Sequence, residues 1–186
     1  FGTIVKEDAA NNISYNASSI VHRRLQSTSP TTSTQGFSIS TVSGNYNNSI
    51  ITLNNIRESI VNKARLHIHA LSITGDSTQG DVFVDAYRVP VSVSAPSWNR
   101  RSASSPVVSW NSAGGTGAWS DYIPYPLFSF SIPTQTTGST NPLNASYVFD
   151  ITDYMRRSAH DDGTSILFVP RYNSSAFVTM ASRGVI

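Results

Sequence analysis

Two histidines, His67 and His69, stand two positions apart in an otherwise apolar segment, a spacing at which imidazoles can share one metal ion. On a β-strand, residues two apart point to the same side, so both rings would face one way. A metal site needs a further ligand, and the candidates are His22 and His160. Nothing in the spacing brings either of them there, so we interpret the pair as polar residues on the outer face of a strand.

Acidic residues late in the chain offer a second kind of metal site. Asp150 and Asp153 are candidate calcium ligands, because calcium takes about six to eight oxygen ligands. The contiguous Asp-x-Asp-x-Asp-Gly loop that often supplies them is absent. The alternative is that Thr152 or Asp153 caps a short helical turn. No cofactor is predicted, with a structural calcium as the alternative.

Catalytic chemistry has little support in the sequence. Glycoside hydrolysis needs two carboxyl groups about 5 to 9 Å apart, and the acidic residues that could supply them are few and stand mostly at predicted turns. They are Glu7, Asp8, Glu58, Asp76, Asp81, Asp85 and Asp121. The chain has no cysteine and no Gly-x-Ser-x-Gly pattern. We therefore predict that the protein is not an enzyme.

Aromatic residues in one long segment are the candidate ligand-binding residues. An exposed flat ring can stack on the C–H face of a sugar or on a partner protein. The candidates are Trp98, Trp110, Trp119, Tyr122 and Tyr125. Trp119 lies in a glycine-rich loop and is expected to be exposed, whereas Trp98 and Trp110 are expected to hold the segment onto the rest of the fold.

The elements that must position these residues are β-strands. Residues 64 to 71 alternate apolar and polar side chains, which is typical of a strand with one face in a core and the other near water. Other strands are predicted at 1–5, 20–25, 37–42, 49–53, 82–89, 127–132, from 147, at 165–169 and at 177–183. The continuous apolar run at 165–169 predicts a strand buried on both faces, and 152–157 predicts a single helical turn. Loops are predicted from Thr74 to Asp81 and from Pro133 to Pro142.

The predicted fold class is all-β: an antiparallel, jelly-roll-like β-sandwich with long loops. Residues 1–36 would form an N-terminal arm with the first strands and a polar loop, and residues 37–186 the sandwich domain. The net charge of +2 comes from scattered arginine pairs rather than a basic stripe, so nucleic acid is not predicted as a partner. No apolar run approaches the roughly 20 residues of a membrane span.

Several short patterns follow one another between residues 50 and 183. They are Val61-x-x-Ala64-x-Leu66-x-Ile68, Val82-x-Val84-x-x-Tyr87, Ser97-Trp98, Ser109-Trp110-Asn111, Val148-Phe149-Asp150-Ile151-Thr152, Ile166-Leu167-Phe168 and Ala181-Ser182-Arg183. Their order resembles the DNRLRE-type domain family. The resemblance implies a jelly-roll sandwich of a secreted or cell-surface protein, and some members of that family are carbohydrate-binding modules.

The chain departs from that family in its first and last strands. Ser182-Arg183 is followed by Gly184-Val185-Ile186, not by an acidic residue and a further strand, and no family-like first strand is evident in residues 1–36. Either the N-terminal segment fills the missing edge or the edge is open, and an open edge is a template for another chain. The candidate assembly-edge residues are Phe1, Ile4, Val5, Val185 and Ile186.

Two hypotheses about function follow. In the first, which is the predicted function, the protein is a structural or assembly subunit, such as a virion decoration or fibre protein or a surface filament. It would contact its own copies or other subunits through edge strands and terminal arms. Sparse charge and abundant Ser, Thr and Asn favour it. In the second, the protein is a carbohydrate-binding module that binds polysaccharide through the loop aromatics, which the family resemblance favours. Both predict an extracellular, cell-surface or virion location.

Overall fold

A computed structural model describes residues 4–7, 12–15, 20–53, 63–76, 81–133, 141–158, 164–171 and 175–185. In chain order the strands and the helix are β1 (Ile4–Glu7), β2 (Asn12–Tyr15), β3 (Ile20–Gln26), β4 (Thr34–Gln35), β5 (Ser38–Val42), β6 (Asn45–Leu53), β7 (Arg65–Asp76), β8 (Val82–Val89), β9 (Arg100–Ser102), β10 (Val108–Ser109), β11 (Pro126–Ile132), β12 (Asn141–Asp150), α1 (Thr152–Ser158), β13 (Thr164–Pro170) and β14 (Ser175–Val185). A 3-10 turn at Ala113–Gly115 lies between β10 and β11.

Twelve of the described strands form one continuous sheet that folds into two layers joined at one corner, and β9 and β10 form a separate two-stranded sheet. We call the two layers the front sheet and the back sheet. The front sheet has the order β11-β8-β13-β6-β3, and the back sheet has β7 between β12 and β14. β5 pairs with β14 of the back sheet and with β6 of the front sheet, so the β5–β6 hairpin joins them. Every strand pairing in the described ranges is antiparallel except that of β1 with β14. The predicted all-β, antiparallel, jelly-roll-like β-sandwich is confirmed.

The main core lies between the two sheets. Leu66 and Ile68 of β7 are almost completely buried there, together with Ile51 of β6 and with Ile166 and Phe168 of β13. Each such side chain stabilises the fold by about 1.5–3 kcal/mol relative to an exposed one. The apolar residues that alternate around Leu66 therefore lie on the inner face of the back sheet, as the sequence predicts.

The front sheet is apolar on its outer face as well. Leu167 is fully buried but points away from Ile166 and Phe168, into a second cluster. That cluster consists of Leu25, Ile50, Val89, Trp110 and Leu167. It is closed by residues 90–125, which connect β8 to β11 and which we call the covering segment. The prediction that the strand at 165–169 is buried on both faces is confirmed.

The predicted helical turn is α1, but its cap differs from the prediction. The carboxylate of Asp150 accepts a hydrogen bond from the backbone N–H of Thr152 at 2.9 Å. The hydroxyl of Thr152 instead accepts one from the backbone N–H of Ala64 at 2.9 Å. Thr152 therefore ties the helix to the start of β7, and Asp150 takes the place predicted for Thr152 or Asp153 as the capping residue.

Strand ends were the least accurate of the sequence predictions. β7 continues to Asp76, into the predicted loop, because β14 pairs with it as far as Ser175. β12 begins at Asn141, inside a predicted loop, because that residue pairs with Ile73. In both cases pairing with a distant strand outweighs local turn signals. No helix in the described part of the chain is long and apolar enough to cross a membrane.

Candidate aromatic binding site

The first part of the covering segment is anchored by two tryptophans. Trp110 is only 6% exposed, and its indole N–H donates a hydrogen bond to the carbonyl oxygen of Ser97 at 2.9 Å. Gly114 lies so close to Trp98 that an added Cβ would approach the indole ring to 2.9 Å. The carbonyl of Gly114 accepts a buried hydrogen bond from the amide of Asn48 in β6 at 2.9 Å. These contacts fix the segment to the front sheet.

A buried carboxylate organises the second part of the segment. Asp121 is 1% exposed. Its two oxygens accept hydrogen bonds from the backbone N–H groups of Asn111, Ser112 and Gly117, each at 2.9 Å, and from the Asn111 amide at 3.3 Å. Because these hydrogen bonds join Gly117 to Asn111 and Ser112 through one side chain, Asp121 holds the loop from Gly117 to Tyr122 against the anchored part.

Two large aromatic side chains remain exposed at the end of this loop. Trp119 is 64% exposed and Tyr125 is 69% exposed. The backbone of Trp119 is left-handed, with φ of 68°, and its N–H donates a hydrogen bond to the carbonyl of Tyr122 at 2.8 Å. The Trp119 and Tyr125 rings meet edge to face, with centroids 5.6 Å apart and planes at 80°. We call this pair the aromatic corner.

The aromatic surface continues onto the outer face of β8. The ring of Tyr122 packs on that of Tyr87, with centroids 4.5 Å apart. Phe83, Asp85 and Tyr87 alternate with buried Val84 and Ala86 and therefore share this outer face. Phe83 is 40% exposed, so the covering segment leaves this end of the face accessible.

A hydrogen-bonded group lies in the middle of that face. Arg171 donates to both oxygens of Asp85, each at 2.8 Å, and Ser129 of β11 donates to the same carboxylate at 2.6 Å. The Arg171 guanidinium carbon lies 5.8 Å from the centre of the Phe83 ring. The hydrogen bonds from Arg171 lower the pKa of Asp85, and burial raises the pKa of Tyr87 to about 12. At neutral pH the group is thus one carboxylate, one guanidinium and a neutral phenol.

We call the whole surface the aromatic strip. It comprises Trp119, Tyr125, Tyr122, Tyr87, Asp85, Arg171 and Phe83. Of the predicted ligand-binding residues, Trp119, Tyr122 and Tyr125 contribute to it. Trp110 belongs to the second cluster beneath the segment, and Trp98 packs against that cluster, as the half-buried ring of Tyr122 also does. The strip offers rings for stacking and a fixed guanidinium for hydrogen bonding.

The β8 part of the strip is not among the binding residues predicted from the sequence. The signal was present, because an outward Phe, Asp and Tyr alternating with inward Val, Val and Ala is unusual for a solvent face. Arg171 could not have been found in this way, because it follows β13 and meets Asp85 only through the pairing of β13 with β8.

The predicted calcium ligands are placed on an open surface. Asp150 is exposed and accepts the hydrogen bond of Thr152, and Asp153 is exposed and forms an ion pair with Arg156 at 3.6 Å. Together with Lys63 they line a cleft of about 590 Å³. Within the described ranges no three His, Asp or Glu side chains are grouped as metal ligands. The cleft also places the cationic side chains of Lys63 and Arg156 beside the two carboxylates.

The histidines are separated by the fold. His67 and His69 are half-buried on the outer face of β7, where His69 Nδ1 lies 2.8 Å from the hydroxyl of Ser146. His22 lies in β3 of the front sheet and stacks on Phe37, with centroids 5.5 Å apart. Burial lowers the pKa of His22 to about 4. His160 lies outside the described residues.

The predicted assembly edge is in contact with the chain's own first strand. Ile4 pairs with Gly184 and Val5 with Val185, in a parallel arrangement. Phe1 and Ile186 lie outside the described residues. The two alternatives were that the N-terminal segment fills this edge or that the edge is open. At these positions the N-terminal strand β1 fills it.

The sequence was compared with models of known protein families, and no family model matches it. A comparison with curated proteins likewise finds no match. The resemblance to the DNRLRE-type domains therefore remains a prediction, and the candidate site is defined by its geometry alone.

Proposed function

We propose that the protein is a non-catalytic β-sandwich module that binds polysaccharide through the aromatic strip. The observation that carries this proposal is the aromatic corner, where Trp119 and Tyr125 are each about two-thirds exposed on an otherwise anchored loop. Aromatic rings dominate recognition surfaces because they supply large contact areas. Holding them in place before the ligand arrives lowers the entropic cost of binding.

A sugar suits this surface because it combines C–H faces with hydroxyl groups. The rings of Trp119 and Tyr125 can stack on the former, and the guanidinium of Arg171 can donate hydrogen bonds to the latter. Ligand sites commonly combine aromatic surface with a few well-placed polar groups. Charged residues make up only 13% of the chain and its net charge is +2, so we expect electrostatic attraction to contribute little.

The surroundings of the acidic residues support a binding role rather than catalysis. The carboxylate of Asp85 is held by Arg171 and Ser129, and that of Asp121 is held by backbone N–H groups. Both carboxyl groups act as structural hydrogen-bond acceptors. A general acid for glycoside hydrolysis would need a raised pKa, and the pKa of Asp85 is lowered.

The proposal is tested by measuring binding to a panel of polysaccharides for the wild type and for Trp119→Asn. Asparagine accepts the left-handed backbone of this position, so the variant removes the ring without straining the loop. Val107→Ala is the matched control, because Val107 is 55% exposed in the same segment. We expect the first variant to lose at least tenfold in affinity and the control to bind as the wild type. No binding by the wild type to any polysaccharide would reject the proposal.

A second candidate function, the assembly subunit, is favoured by the attachment of the N-terminal hairpin. β1 and β2 pair with each other at four positions, but β1 meets β14 at only two. The same pairing could be made with β14 of another copy, which is how subunits exchange strands. Such a subunit would build filaments, fibres or virion surfaces from its own copies.

Light scattering after size-exclusion chromatography tests this second candidate. Strand exchange predicts large assemblies that dissociate in Val5→Pro, because proline removes a strand N–H and disturbs the pairing with Val185. A monomer at high concentration would reject it. Under either function we propose an extracellular, cell-surface or virion location.

A further inference from the structure

We infer that the aromatic strip takes a single soluble, neutral polysaccharide chain that runs along β8 from the aromatic corner to Arg171, and not the flat surface of a crystalline polysaccharide. The inference rests on the proposed function and specifies its ligand class. It follows from the angles between the rings, from their order along β8 and from the surroundings of Arg171.

Within each pair of rings, the angle prevents a flat ligand from stacking on both rings. A flat surface can stack on several rings only when the rings are coplanar. The planes of Trp119 and Tyr125 stand at 80°, and those of Tyr87 and Tyr122 at 50°. A surface that lies on the face of Trp119 therefore meets Tyr125 edge-on. A single chain avoids this conflict because it can turn between neighbouring sugar units.

The order of the residues defines a direction. Tyr125 directly precedes Pro126, which pairs with Tyr87 at one end of the outer face of β8. Asp85 and Phe83 follow on the same face, with successive side chains about 6.7 Å apart. Arg171 lies beside these two residues. Asp85 itself is only 7% exposed, so the accessible groups at this end are Arg171 and Phe83. The aromatic corner and the guanidinium thus mark the two ends of the strip.

The surroundings of Arg171 favour a neutral ligand. Its Nε and one Nη group donate to Asp85, while the side chain remains 56% exposed. A guanidinium carries further N–H groups beyond those two, and its planar fork is held here by Asp85 and Phe83. Because Asp85 balances its charge, Arg171 offers directed donors without a net positive charge. Such donors suit sugar hydroxyls better than the carboxylates of a polyuronate.

The test compares three ligand forms in parallel. Soluble neutral polysaccharides (β-glucan, mannan, xylan) and a soluble polyuronate are run in affinity electrophoresis, and crystalline cellulose and crystalline chitin are used in sedimentation assays. The variants are Trp119→Asn, Arg171→Gln and Arg171→Lys, with Val107→Ala as the control. Thermal unfolding of each variant verifies that it is folded.

We expect binding to at least one soluble neutral polysaccharide and none to the crystalline forms. Arg171→Gln should weaken that binding about tenfold, the value of one directed hydrogen bond from a charged donor. Arg171→Lys should weaken it as well, because lysine keeps the charge but lacks the fork.

Three outcomes overturn the inference while leaving the proposed function intact: binding to a crystalline form, preference for the polyuronate, or soluble binding that depends on Trp119 but not on Arg171. Absence of binding to every carbohydrate would overturn the proposed function and this inference together.

Discussion

Trp110 and Trp119 lie nine positions apart in one segment and have opposite surroundings. Trp110 is 6% exposed, packs over the front sheet and donates a hydrogen bond to Ser97. Trp119 is 64% exposed, in a left-handed turn. The comparison shows that the covering segment has an anchored base, around Trp98, Trp110 and Gly114, and an exposed tip from Gly117 to Tyr125. The base contributes stability so that the tip can present its rings in a fixed arrangement.

The largest expected effect separates the two tryptophans directly. Trp110→Ala should lower the free energy of unfolding by about 3–5 kcal/mol, because it empties the second cluster. Trp119→Asn should change it by less than about 0.5 kcal/mol, because an exposed ring is removed. Urea denaturation measures both. Equal losses for the two variants would contradict the division into base and tip.

The next effect tests how closely the base is packed. Gly114→Ala should cost about 2–3 kcal/mol, because the new Cβ would meet the ring of Trp98 at 2.9 Å in a backbone with φ of 75°. Gly44→Ala is the matched control, since φ there is 77° and nothing lies within 4 Å of the added atom. Its cost should be about 1 kcal/mol, from the backbone alone. If denaturation gave equal costs, close packing of Trp98 on Gly114 would be disproved.

The link between base and tip is tested at Asp121. Asp121→Asn should lower stability by about 2 kcal/mol, because an amide NH₂ group would face backbone N–H donors. Amide hydrogen exchange should become faster at Gly117 and remain unchanged in β13. Unaltered exchange at Gly117 would show that Asp121 does not hold the tip.

The smallest effect concerns a group that lies in the sandwich, away from both parts of the segment. His22 has a pKa of about 4 in the folded protein, because burial disfavours its charge. The unfolded chain, with a histidine pKa of about 6.5, takes up the proton first, so stability should fall as the pH drops from about 6.5 to about 4. The expected loss is about 1–2 kcal/mol after allowance for solvent screening.

His22→Phe should abolish that dependence, because phenylalanine can keep the stack on Phe37 without a titrating group. Denaturation of both proteins at pH 4 and pH 6.5 provides the comparison. While the protein stays folded, polysaccharide binding through the tip should not depend on the titration of His22. A change of affinity between pH 6.5 and pH 4 in the wild type but not in His22→Phe would contradict this expectation.

The sequence predicted the sandwich well because its signals are local. Alternation around Leu66 and the unbroken run at Ile166-Leu167-Phe168 report burial on one face and on two faces, and the structure bears out both. The exposure of Trp119 could be expected from its glycine-rich surroundings. Local patterns also located α1, since a helical turn depends on near neighbours.

The rest depended on contacts between distant parts of the chain. Arg171 and Asp85 are 86 positions apart and meet only because β13 lies beside β8. In the sequence, Asp121 has the appearance of an exposed turn residue. In the structure it is buried, and its carboxylate accepts hydrogen bonds from backbone N–H groups that come together only when the segment folds. Strand ends at Asp76 and Asn141 likewise depend on long-range pairing.

The most direct test of the account follows the tryptophan indole N–H signals by NMR while a soluble neutral polysaccharide is added. The Trp119 signal should shift on titration, whereas that of Trp110, which is buried and bonded to Ser97, should stay in place. Equal shifts for both residues, or no shift at Trp119 in the presence of every polysaccharide tried, would contradict the claim that the tip binds and the base supports it.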